Sequence, residues 1–120
     1  MIRGSVPVDG VPTIKLTLAG QDWIATIDTG FNGDLELPEE LQDKLNARYV
    51  GRMTSSLAGG QSIEEDVYLV DFPFDGQMTQ AVTTFVSDSQ MLIGTHLLNQ
   101  YRLQIDFVNR TLELERIGTA

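Results

Sequence analysis

The segment from Ala25 to Glu40, ATIDTGFNGDLELPEE, carries five acids: Asp28, Asp34, Glu36, Glu39 and Glu40. Asp28 stands between apolar strand-type residues and a turn containing Gly30, and three uses fit an acid in that setting. It could ligate calcium. Counted from Asp28, the residues Asn32, Gly33, Glu36 and Glu39 fall at positions 5, 6, 9 and 12 of an EF-hand loop. Position 3, however, is Gly30, which brings no ligand, and Pro38 occupies position 11. The preceding DWIATI also reads as strand where an entering helix is required. The second use is structural, an Asp-Thr-Gly turn whose carboxylate caps backbone amides. The third is general acid or base chemistry, which needs a second ionisable group beside it.

Composition narrows the chemistry. The chain has no cysteine, which excludes disulfides, thiol nucleophiles and Cys-ligated zinc. His96 is the only histidine; with no Ser or Cys partner motif it reads as a surface or capping residue. Eight basic residues against 17 acidic ones give a net charge of −9, which disfavours nucleic acid as a partner. No apolar run is long enough for a signal peptide or a membrane span, so the expectation is a cytoplasmic protein without a membrane partner. With 120 residues and no linker or low-complexity stretch, one domain over residues 1–120 is expected.

The elements that must position Asp28 are mostly strands. PTIKLTLAGQDWIATIDTG alternates on both sides of Ala19-Gly20-Gln21-Asp22: Ile14, Leu16 and Leu18 share a face, and Ile24, Thr26 and Ile27 continue the strand character. SSLAGGQS lies between YVGRMT and IEEDVYLVDF and predicts a hairpin with Gly59-Gly60 at or near its tip. VYLVDFPFDGQMTQAVTTFV reverses at Asp75-Gly76, and LQIDFVNRTLELE reverses at Asn109-Arg110. Two short helices are expected. One covers PEELQDKLNA, residues 38–47, with Pro38 in its first turn and Leu41 and Leu45 four apart; the other follows Gly94 with Thr95 as N-cap and Leu98 and Tyr101 on one face. Trp23 reads as core or barrel surface, Asn32-Gly33 as a tight turn, and Glu64-Glu65-Asp66 as a solvated stretch. A faint internal echo is visible, because strand, glycine turn and helix recur in the same order around Gly30 and Gly94.

Two of these segments carry a resemblance. ATIDTGFNGDLELP resembles the active-site segment of retropepsin-like aspartic peptidases, and MLIGTHLL resembles their second signature through Leu92, Ile93 and Gly94. The glycine-rich hairpin between them lies where that family keeps its flap, and order and spacing agree from about Pro12 to Tyr101. The resemblance implies an all-β, retropepsin-like acid-protease barrel with one or two short helices, closed by a β-hairpin flap. It implies an aspartic endopeptidase acting on peptide or protein substrates, without cofactor or metal. Asp28 would be the catalytic acid, Thr29 and Gly30 would complete its loop, and Ala58, Gly59 and Gly60 would form the flap over substrate. Two carboxylates sharing one proton supply base and acid together, because like charges so close cannot both ionise. Asp88 and Asp106 lack a following Thr-Gly, so the pair requires a homodimer with Asp28 from each subunit at its twofold axis.

The chain departs from the family pattern in three places. Phe31 stands where a small residue usually follows the Gly, the C-terminal hairpin is longer than in the retroviral enzymes, and the flap tip offers only Leu57 and Ala58 as apolar groups. A second reading is a catalytically silent dimeric domain of the same fold that binds peptide or serves assembly. The intact Asp-Thr-Gly favours the enzyme.

Overall fold

The computed structural model describes residues 1–119. Ten strands form one sheet: β1 (Ile2–Ser5), β2 (Thr13–Leu18), β3 (Gln21–Ile27), β4 (Leu35–Pro38), β5 (Arg48–Ser56), β6 (Ser62–Phe74), β7 (Gln77–Val86), β8 (Leu92–Ile93), β9 (Tyr101–Asp106) and β10 (Thr111–Arg116). Their spatial order is β5-β6-β7-β4-β8-β3-β2-β1-β10-β9. The sheet curls so that β2 also packs against β6 across the core. Most neighbours are antiparallel; β3 with β8 and β4 with β7 are parallel. Among the described residues no helix is long and apolar enough to cross a membrane.

The alternation read from the sequence maps onto the core. Ile14, Leu16 and Leu18 of β2 and Leu112 and Leu114 of β10 are all at most 2% exposed. On β3 the inward residues are Ala25 and Ile27, and Ile24 faces outward. Trp23 is half-buried against the core and donates its indole N–H to the Leu18 carbonyl at 3.0 Å. The β2–β3 turn holds Ala19 at φ 53° and Gly20 at φ 75°, the pair of left-handed residues that joins two twisted strands tightly.

The two expected helices are reduced to turns. Pro38 still belongs to β4, paired with Val86, so a helix could begin only at Glu39. A single 3-10 turn over Glu39–Leu41 follows, continued by Lys44 and Leu45 donating to the Leu41 carbonyl. Burial of Leu41 ties the segment down, and it is too short to hold an α-helix by itself. After Gly94 only a turn forms, with Leu98 donating to the Thr95 carbonyl and Asn99 to that of His96, and β9 begins at Tyr101, which leaves too few residues for an α-helix. The EF-hand alternative also fails on geometry, since β3 enters and β4 leaves the 28–34 turn where helices are required.

Candidate active site

Asp28 is the first residue beyond β3. Because β3 runs parallel to β8, with Ile27 beside Ile93, the ends of both strands lie side by side and their glycine turns meet. The Asp28 amide donates to the Ile93 carbonyl at 2.9 Å, and the Phe31 amide closes a turn onto the Asp28 carbonyl at 3.1 Å. Asp28 is half-buried, and its Oδ1 accepts the Gly30 amide at 2.9 Å. A Cβ at position 30 would stand 3.3 Å from that same oxygen, so glycine lets the carboxylate fold back over its own turn. One oxygen is thus oriented by the backbone. Thr29 and Gly30 are exposed in the single chain.

The second glycine turn straps the first. Gly94 donates to the Asp34 carbonyl at 3.0 Å, Thr95 to Phe31 at 2.8 Å and His96 to Gly33 at 3.2 Å. Beneath them sits Asp34, only 4% exposed. Its Oδ2 accepts the Val82 amide of β7 at 2.8 Å and its Oδ1 lies 2.6 Å from His96 Nδ1. A buried carboxylate is tolerated where such partners meet it, and here they join three segments behind the Asp28 loop. His96 is exposed, as its sequence setting implied, but its ring anchors Asp34. Nothing in the sequence sets Asp34 apart from the four other acids of its segment.

The surroundings are electronegative. Glu36 on β4 has its pKa raised, first by burial and then by the charges of Glu65, Asp88 and Asp28. Glu64, Glu65 and Asp66 divide between two faces. Arg52 on β5 bridges Glu64 at 3.4 Å and Asp66 at 3.5 Å, whereas half-buried Glu65 acts on Glu36. Glu36 therefore binds its proton more tightly folded than unfolded. Its ionised form opposes folding at neutral pH, and that cost disappears as pH falls through its folded pKa toward its unfolded value. Glu36→Gln is expected to raise the melting temperature at pH 7 by up to about 3 °C, with the gain shrinking near pH 4; thermal unfolding at both pH values checks this.

The β5–β6 hairpin carries the glycine tip. Leu57 donates to the Gln61 carbonyl at 2.7 Å, and Gly59 and Gly60 take φ of 85° and 80°, which side chains rarely adopt. Ala58, Gly59 and Gly60 are all exposed.

No protein-family model matches the sequence, and no curated protein matches it. Solved structures do match its fold. A retropepsin-like aspartic protease from Rickettsia conorii superposes with a TM-score of 0.65 at 18% identity, covering 94% of this chain and 88% of its own. The simian foamy virus protease gives 0.56 at 20% identity, over 72% of this chain and 91% of its own. The EIAV protease, solved with an inhibitor, gives 0.61 at 16% identity, over 78% and 89%. The fold of this chain is all-β and retropepsin-like.

Proposed function

We propose that this chain is a homodimeric aspartic endopeptidase, with Asp28 of each subunit forming the acid–base pair. The observation that carries the reading is the placement of Asp28. It lies at the end of β3, oriented by the Gly30 amide, with the Gly94 turn strapped behind its loop. In the dimer one carboxylate is ionised and takes a proton from water as that water attacks the scissile carbonyl carbon. The protonated partner donates to the carbonyl oxygen, giving a neutral tetrahedral diol. The first carboxyl then gives its proton to the amide nitrogen while the second takes one from a diol hydroxyl; the C–N bond breaks, releasing amine and acid, and the pair again shares one proton. Thr29 would steady the loops across the twofold axis, and Ala58, Gly59 and Gly60 would close over an extended peptide. The chain acts without cofactor, in the cytoplasm, as a single domain over 1–120.

The test is a dilution series. A lone subunit owns one carboxylate and so has a base or an acid but never both. Specific activity on a diverse peptide pool should fall steeply on dilution below the dimer dissociation constant, followed in parallel by sedimentation. The net charge of −9 per subunit opposes association, so moderate salt should strengthen the dimer. Full specific activity in a population shown to be monomeric sinks the shared-pair mechanism.

The flap assignment has its own check. Small uncharged residues give the tip few buried contacts, so amide hydrogen exchange over residues 57–61 should be fast in the free protein. A bound peptide-like inhibitor should slow it at least about tenfold. Exchange unchanged by such an inhibitor counts against a flap.

A further inference from the structure

The loop from Asp28 to Asp34 is held at both ends, by different means. At its entry the ties run backbone to backbone: the Asp28 amide donates to the Ile93 carbonyl and the Phe31 amide to that of Asp28. At its exit they converge on one residue. The Asp34 carbonyl accepts the Gly94 amide, and its two carboxylate oxygens meet the Val82 amide and His96 Nδ1. Val82 stands one residue ahead of Thr83, where β7 first pairs with Leu35 of β4. The Asp34 carboxylate therefore continues that ladder by one bond before β4 begins. Of all these contacts the one to His96 is the shortest, at 2.6 Å, and it alone joins two side chains.

The two partners differ sharply in exposure. The Asp34 side chain is 5% exposed and that of His96 65%. Among the described residues no lysine or arginine pairs with Asp34, so the imidazole is its one side-chain donor. Because the ring stands at the surface, water can take its place when it is removed. Water satisfies a carboxylate oxygen almost as well, but it does not fix where that oxygen points. The ring therefore contributes less to holding the fold together than to fixing the exit of the loop.

We propose that His96 is a positioning residue for Asp28, acting through Asp34 by the hydrogen bond that its Nδ1–H donates. This rests on the peptidase reading above, in which Asp28 does the chemistry. The loop between the two acids is bound to the 94–96 turn at Phe31, Gly33 and Asp34. It also has little slack. The Phe31 ring lies over Gly33, where an added Cβ would meet its Cζ at 2.7 Å. A shift at the exit is therefore passed back toward Gly30, whose amide orients the Asp28 carboxylate. Misplacing a reacting group by about 1 Å costs about a hundredfold in rate, so a fraction of that displacement is measurable. His96 itself touches no reacting atom.

The experiment compares three substitutions at one position. His96→Ala removes the donor. His96→Asn restores it, because the asparagine Nδ2 occupies the place of the imidazole Nδ1. His96→Gln fills more of the imidazole's volume but carries its donor one bond further out, near the place of Nε2. The Ala and Gln variants should lose about tenfold or more in kcat for peptide cleavage, with KM within about twofold, because Asp28 acts in the chemical step rather than in holding the peptide. The Asn variant should return to within about threefold of the parent. A space-filling role, or a role for Nε2, predicts instead that Gln rescues better than Asn, and a proton-carrying ring predicts that neither does. Any of those patterns, or parental kcat in the Ala variant, overturns the positioning and leaves the peptidase standing. Amide exchange at Gly30 and Phe31 gives a readout that needs no cleavage: it should quicken about tenfold in the Ala and Gln variants and stay parental in the Asn variant. A parent that cleaves nothing overturns the peptidase, and the exchange pattern then decides the positioning by itself. Equal exchange in all four proteins overturns the positioning in either case.

Discussion

Asp28→Asn should lower kcat/KM for peptide cleavage by a factor of about a thousand or more while the fold and the dimer persist. General acid–base catalysis contributes about 10²–10⁴-fold, and in a homodimer the substitution removes both members of the pair at once. The amide oxygen of the substituted side chain can still accept the Gly30 amide, so the turn keeps the 2.9 Å contact that orients Asp28 in the parent. An amide cannot take a proton from water, which is the step at issue. Stability should not fall. Asp28 is one of the charges that raise the Glu36 pKa, so removing it relieves repulsion and should raise the melting temperature slightly. The measurements are cleavage of a peptide pool from pH 4 to 7, thermal unfolding, and sedimentation of parent and variant together. Activity near that of the parent would place the chemistry elsewhere, and a silent binding domain predicts no cleavage by either protein.

Gly94→Ala should be among the most destabilising single changes available, by about 3 kcal/mol or more. A Cβ built there overlaps the Gly33 carbonyl oxygen and comes within 2.7 Å of the Phe31 carbonyl oxygen. Both obstacles are backbone of the loop that carries Asp28, so no rotamer change relieves them. The loop must move, and with it the bonds from Gly94, Thr95 and His96 that strap the two turns together. For a chain of this size the expected fall in melting temperature is about 10 °C or more. Gly118→Ala is the contrast. Its added methyl meets chiefly the end of the Gln100 side chain, which can swing aside, so it should cost less than about 1 kcal/mol. Chemical denaturation of both variants tests the pair, and equal losses would mean that the loop yields as easily as a side chain does.

The strands are legible because their side chains repeat every second residue and the buried ones are apolar, as at Ile14, Leu16 and Leu18. The Ala19-Gly20 and Asp75-Gly76 turns are legible through their local chemistry. The helices fail for a tertiary reason. The segment after Gly94 is strapped to a loop far earlier in the chain, at Phe31 and Gly33, and must enter β9 at Tyr101, which leaves room for a turn only. The Asp34–His96 contact is illegible for the same cause, since it spans 62 positions and neither residue belongs to a periodic pattern. Sequence pattern leaves Asp28 with several possible uses, and the family resemblance chooses among them. The strapping of its loop by the Gly94 turn emerges only from the structure.

β1 meets its main partner late. Ile2 pairs with Leu114 and Ser5 with Thr111, whereas toward β2 the strand makes only the Ser5–Thr13 pairing. On the ribosome the first strand therefore waits for roughly a hundred residues to follow it, which at ~5–20 residues per second is on the order of 5–20 s. Loop closure over that span is costly before any contact repays it, so the last step of folding should be slow relative to the local hairpins. During that wait the edge of β1 that β10 will cover stands bare, and nascent chains crowded on one message can pair with each other rather than with themselves. Heavy loading of ribosomes on one message should accordingly favour aggregates, and sparse initiation, which keeps nascent chains apart during the wait, should favour the native sheet.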